Sequence, residues 1–132
     1  MLEKEILNKY RNVAMVGASS NSERDSYQVA SYLMDNGYNV IPVNPNVREI
    51  LGKTSYPDLG SIPEKVEVVN IFRRPEDVGP IVDEAIKVGA KAVWMQKGIV
   101  NEAAAARAKD AGLLVVMDKC MHEQHELLKL DE

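Results

Sequence analysis

This sequence predicts an α/β domain: a single doubly wound unit on a mainly parallel five-stranded sheet. Three observations carry that expectation. Short β-branched apolar runs alternate with helix-spaced segments along nearly the whole chain, the pattern of repeated βαβ units. Glycines and prolines punctuate the joins. A chain of 132 residues with 45% hydrophobic content fills one core and leaves little room for a second, so the domain is expected to span residues 1–132.

The elements follow in order. An amphipathic start carries Leu2, Ile6, Leu7 and Tyr10. A first strand at about residues 12–16 runs into Gly17. Tyr27, Ala30, Leu33 and Met34 then share one helical face, and Asn36-Gly37 supplies a C-terminal stop. Residues 38–43 read as the second strand, closed by Pro42-Val43-Asn44-Pro45. Between Leu51 and Pro63, Gly52, Pro57, Gly60 and Pro63 predict a loop with one helical turn. The third strand is Val66-Glu67-Val68-Val69-Asn70-Ile71-Phe72. Pro75 opens a helix whose apolar face is Val78, Ile81, Val82, Ala85 and Ile86, ending at Gly89. Residues 92–95 form a fourth strand, residues 101–111 an alanine-rich helix stopped by Gly112, and residues 113–117 a fifth strand. A polar helix from Met121 to Leu130 follows.

Composition removes several function classes. With 16 basic and 20 acidic residues the net charge is −4, so nucleic acid is not an expected partner. One cysteine excludes an internal disulfide framework and a C-x-x-C metal knuckle. The first ten residues lack the apolar stretch of a signal peptide, and no apolar run approaches the roughly 20 residues that span a bilayer. A cytoplasmic protein with no membrane partner is the expectation.

Parallel strands with right-handed crossovers place ligands at their carboxyl ends. The first of these tips, Val16-Gly17-Ala18-Ser19-Ser20, turns through glycine onto a helix N-terminus, an arrangement that suits a phosphate. It is not the dinucleotide fingerprint, because only the first of the three glycines of G-x-G-x-x-G is clearly present. Nor does the second strand end in the carboxylate that bonds a nicotinamide nucleotide's ribose; it ends in Val43-Asn44-Pro45. Arg24, Arg73 and Arg74 follow the first and third strands, and three guanidiniums around one crevice could hold several phosphates. The plainer reading of Arg73 and Arg74 is a solvated pair at a helix start.

The combination Val16-Gly17-Ala18-Ser19, Arg24, Ser26-Tyr27, Gly37-Tyr38, Pro42-Val43-Asn44-Pro45, Val93-Trp94-Met95-Gln96 and Asp118-Lys119-Cys120-Met121 resembles the small bacterial and archaeal CoA-binding proteins. These in turn are similar to the N-terminal CoA-binding domain of the succinyl-CoA synthetase α subunit. The resemblance covers about residues 10–128 and implies a Rossmann-like fold with coenzyme A as cofactor. It implies that the CoA phosphates lie over Gly17, Ala18, Ser19 and Arg24, with Ser26 and Tyr27 starting the helix beneath them. Val43, Asn44 and Pro45 would border the adenosine, and Phe72, Arg73, Arg74 and Val78 would flank the nucleotide. Trp94, Met95 and Gln96 would line the path of the pantetheine arm. The synthetases carry a phosphorylated histidine in a second domain, and no counterpart of it is expected within these 132 residues. This chain's only histidines, His122 and His125, fall in the charged run Met121-His122-Glu123-Gln124-His125-Glu126 and read as surface residues without a metal.

The resulting expectation is a binder of CoA or an acyl-CoA, non-catalytic or regulatory, with homo-oligomerisation or a partner subunit left open. Two alternatives stand beside it. One is a small CoA-dependent enzyme using Cys120, which ends the fifth strand just ahead of a helix where the dipole favours thiolate. The other is an NAD(P)-binding module of Rossmann type.

Overall fold

Strands covered on both sides become apolar throughout, and the β-branched runs of this chain do so. The computed structural model describes residues 1–130; residues 131 and 132 of the expected domain lie outside the described residues. Its strands are β1 (Asn12–Val16), β2 (Asn39–Val43), β3 (Glu49–Ile50), β4 (Lys53–Thr54), β5 (Val68–Ile71), β6 (Ala92–Met95) and β7 (Leu114–Val116). Five of them form one parallel sheet in the order β2-β1-β5-β6-β7. The helices are α1 (Leu2–Lys9), α2 (Asp25–Asp35), α3 (Val78–Lys87), α4 (Glu102–Asp110) and α5 (Met121–Leu130).

Alternation along each strand divides the interior into two cores. Val13 and Met15 of β1 face Ile6 and Leu7 of α1, Val29 and Leu33 of α2, and Met121 of α5. Ala14 and Val16 face the other way, among Val78, Val82 and Ala85 of α3 and Ala104, Ala105 and Ala108 of α4. Helices therefore cover both faces, as a doubly wound sheet requires. The order of the parallel strands also fixes where a ligand can enter. Connections leave β1 and β5 in opposite directions along the sheet, and the crevice outside their carboxyl ends is the topological switch point.

Two details differ from the sequence expectation. The third strand is shorter than expected, Val68–Ile71, although the Glu67 backbone still donates to Asn12 and accepts from Ala92, and its carboxylate also accepts the N–H groups of Arg11 and Asn12, each at 3.0 Å. The segment between residues 51 and 63 does contain a helical turn, Leu59–Ser61, capped by Asp58. Just before it, β3 and β4 make an antiparallel hairpin that two-residue strands give no periodicity to announce. This hairpin and Tyr56 lie along the outer edge of β2, where Tyr56 donates its N–H to the Pro42 carbonyl at 3.0 Å.

The amino ends of the strands are closely tied. The Asn12 side chain donates to Lys65, and Asn39 Nδ2 donates to Glu64 at 2.9 Å. Tyr38 donates its hydroxyl to the Leu7 carbonyl at 2.6 Å, beneath the Arg11 guanidinium. Burial pushes the Glu67 carboxyl up, but the hydrogen bonds from Asn12 and Arg11 outweigh it and hold the group below the usual carboxylate range.

Candidate functional site

At the carboxyl end of β1 the backbone of Gly17 takes φ +88°, and a Cβ there would lie 2.3 Å from the Phe72 carbonyl oxygen. Only glycine allows β1 to pass that close to the end of β5. The Gly17 N–H donates to the Val43 carbonyl at 3.1 Å, so the tips of β1, β2 and β5 meet at one residue. Asn44 completes the joint. Its Nδ2 donates to the Ala18 carbonyl at 2.8 Å, and its Oδ1 accepts from Asn46 N–H at 2.9 Å.

A hollow of about 230 Å³ opens over this joint, lined by Gly17, Ala18, Ser19, Arg24, Asn44, Asn46, Phe72 and Arg73. Its rim is a self-bonded turn, in which Ser19 Oγ accepts from the Asn21 N–H and Asn21 Oδ1 accepts from the Glu23 N–H. Helix α2 starts directly behind it, with no side chain capping its first turn. Arg24 and Arg73 are exposed, and among the described residues neither guanidinium has a hydrogen bond or ion pair. Two unpaired cations, backbone N–H groups and a helix N-terminus are suited to an anion.

Phe72 and Arg73 also border a larger cleft of about 770 Å³. Its walls are Asp25, Gln28 and Val29 of α2, Arg74 and Asp77 after β5, Gln96, Lys97 and Ile99 after β6, and Cys120, His122 and Glu123 at α5. The charges in it are largely paired already. Arg74 holds Asp77 at 3.1 Å, and Lys97 holds Glu123 at 3.4 Å. Together the two volumes fall within the range of small-molecule sites, roughly 300–1,000 Å³.

The residues expected from the sequence separate into three groups. Gly17, Ala18, Ser19, Arg24, Asn44, Phe72 and Arg73 line the smaller hollow, while Pro45 is exposed beside it. Arg74 and Gln96 line the larger cleft, so the three arginines do not converge on one crevice; the i+3 carboxylate of Asp77 draws Arg74 away. Ser26, Val43, Val78, Trp94 and Met95 are buried, and Tyr27 is partly buried against the α1–α2–α5 core. Trp94 is 0% exposed and spends its Nε1–H on the Lys119 carbonyl at 2.8 Å; Met95 is 0% exposed in the opposite core. Side chains of β6 point into the cores, so its tip reaches the cleft only from Gln96 onward.

The reading of His122 and His125 as plain surface residues is corrected by the structure. His122 stacks on Tyr32 with ring centroids 3.6 Å apart and contacts Glu126, and Tyr32 Oη bonds His125 Nδ1 at 2.7 Å. These contacts clasp α5 to α2 above the larger cleft. No group of three or more His, Cys, Asp and Glu residues is placed to hold a metal among the described residues. Cys120 borders the cleft, but the neighbouring Lys119 ammonium is engaged by Glu3 at 3.0 Å.

Sequence reasoning overlooked Asn46, Gln28, Lys97 and Asn70. Asn70 did leave a signal: it interrupts the otherwise apolar run Val68-Val69-Asn70-Ile71. Lys97 and Gln28 left none, since charged and amide side chains at strand tips and helix starts are common.

This parallel sheet, with paired hollows outside its switch point, defines the class of α/β domains that take a ligand across strand ends. Within that class the chain belongs to the CoA binding domain family, whose pattern it matches over residues 11–126. It is similar to the uncharacterised protein YneT of Bacillus subtilis, 37% identical over 126 residues that cover 96% of this chain and 93% of that one. A solved hypothetical protein from Pyrococcus horikoshii has a TM-score of 0.94 at 45% identity, covering 96% of this chain and 89% of that one. An ADP-forming acetate–CoA ligase of Archaeoglobus fulgidus is 30% identical over 95 residues, which are 70% of this chain but only 14% of the ligase.

Proposed function

We propose that this protein binds coenzyme A, free or as an acyl thioester, across the carboxyl ends of β1, β2, β5 and β6, without itself catalysing a reaction. The observation that carries this reading is the junction at Phe72 and Arg73, where a small hollow with two unpaired guanidiniums adjoins a larger cleft whose acidic and basic side chains balance and are mostly paired. CoA has the same two-part chemistry, a phosphate-rich nucleotide joined to a neutral amide arm. In this reading Arg24, Arg73 and the N–H groups of Ala18 and Ser19 hold the phosphates. The arm then crosses Phe72 into the cleft beside Gln96.

Two features argue against a nicotinamide nucleotide. Both ends of the Asn44 amide are used within the tip, and a carboxylate for ribose hydroxyls is missing there. The enzyme alternative has less support than binding, because the groups flanking Cys120 are engaged elsewhere: Lys119 by Glu3, and His122 by Tyr32 and Glu126.

Titration calorimetry tests the proposal. CoA is expected to bind at one molecule per chain, with NAD much weaker. Equal affinity for NAD would overturn the reading, as would no heat with CoA. Turnover of an acyl-CoA that disappears in Cys120→Ser would overturn the non-catalytic part alone.

A further inference from the structure

Within β5, Asn70 is the one polar residue, and it is 0% exposed. A buried amide is costly unless its donor and acceptor are both used, so each atom can be accounted for. Its Nδ2 donates to the Met121 thioether at 3.7 Å, and its Oδ1 accepts from Gln96 Nε2 at 2.8 Å. A thioether sulfur only accepts, which fixes the orientation of the Asn70 amide. With Oδ1 thus turned toward Gln96, the Gln96 amide is fixed as well: Nε2 points inward, and Oε1 is the free end.

Gln96 is 3% exposed yet lines the larger cleft. Its Oε1 accepts no hydrogen bond among the described residues. No sealed side-chain oxygen or nitrogen there lacks a partner, so this atom opens onto the cleft. The outcome is a nearly buried acceptor, held in one direction by a second buried amide and aimed into a cavity.

We propose that Gln96 Oε1 recognises an amide N–H of the ligand's arm, and that Asn70 is the positioning residue that keeps this acceptor turned outward. The inference rests on the CoA reading, in which the pantetheine arm supplies secondary amides. It adds a selectivity that the arginines cannot give. A fixed carbonyl oxygen attracts a donor and repels phosphate or carboxylate, so the cleft takes the neutral arm and leaves the anionic half over Arg24 and Arg73.

Calorimetry with two probes tests it: CoA, and its nucleotide half, adenosine 3′-phosphate 5′-diphosphate. Gln96→Met is expected to weaken CoA about three- to tenfold, the worth of one hydrogen bond, while the nucleotide half binds within twofold of wild type. Asn70→Leu releases the Gln96 amide to rotate and is expected to lower CoA affinity by a smaller factor. Because the two residues act through one atom, Asn70→Leu with Gln96→Met is expected to match Gln96→Met alone. The double variant also replaces both amides by apolar groups, so it keeps the test open should a single variant leave a buried amide unpaired and unfold. Loss of affinity for both probes alike would mark a merely structural role and overturn the inference. CoA affinity within twofold of wild type in Gln96→Met and in the double variant would overturn it while leaving the CoA reading intact. A wild-type protein that binds neither probe removes both.

Discussion

The two ends of this sheet are built to opposite rules. At the amino ends, polar groups are turned inward on one another. Glu67 accepts two backbone N–H groups, Asn39 reaches Glu64, and the Tyr38 hydroxyl reaches Leu7. At the carboxyl ends of β1, β5 and β6, two guanidiniums, a helix start and a glutamine oxygen are left facing open volume. Both ends are made of the same five strands, so the difference lies in the loops. Joins at the bottom are stapled by their neighbours, whereas the loops after β1, β5 and β6 leave open volume outside the switch point. Self-paired polar groups gather at one end and unpaired ones at the other.

The largest effect is expected where the two rules meet. Gly17→Ala forces a Cβ against the Phe72 carbonyl at a positive φ, and is expected to cost about 2–4 kcal/mol of stability together with CoA binding. Thermal melting with and without CoA measures both losses; an unchanged melting temperature would show that the tip can relax freely. Next, Arg24→Ala or Arg73→Ala should lower CoA affinity by on the order of 1.5–3 kcal/mol with stability unchanged, since neither side chain supports the fold. An Arg24 variant with wild-type affinity would move the phosphates elsewhere.

Glu67 tests the opposite end. Glu67→Gln is expected to cost about 1–2 kcal/mol of stability at neutral pH and to leave CoA affinity alone. Its carboxyl is held below the ordinary value of 4.5 in the folded state. That stabilisation is therefore complete above the unfolded value and is lost as pH falls through the folded one. Urea unfolding between about pH 6 and pH 3 should show a shallower loss of stability in Glu67→Gln than in wild type; parallel curves would separate Glu67 from the acid sensitivity. The smallest effect belongs to Arg74→Ala. Arg74 is exposed and already paired with Asp77, so both affinity and stability should match wild type. A loss as large as that of Arg73→Ala would put a third guanidinium on the ligand.

The sheet and its helices were legible because their signal is periodic. β-branched runs such as Val68-Val69 and the Val78, Val82, Ala85 face can bury only one way. Gly17 was legible as a turn, although its real constraint, the Phe72 carbonyl, comes from a strand more than fifty residues away. Long-range pairings explain most of what the sequence hid. Nothing local to Trp94 says that Lys119 takes its N–H, and nothing local to His122 says that Tyr32 stacks on it. The β3–β4 hairpin was hidden for the contrary reason, being too short to have a period.

That hairpin bears on what the sheet's border offers to another strand. A sheet edge with free N–H and C=O groups is a template on which another chain can add a strand, the first step of aggregation. On β2, the outermost strand, Pro42 has no N–H to offer, and its carbonyl is already taken by Tyr56. Lys53 of the hairpin adds its ammonium to Asn39 at 2.9 Å, placing a charge beside the same border. At the far border β7 is only three residues long. An incoming strand finds a blocked rung on one side and a ladder of only three residues on the other.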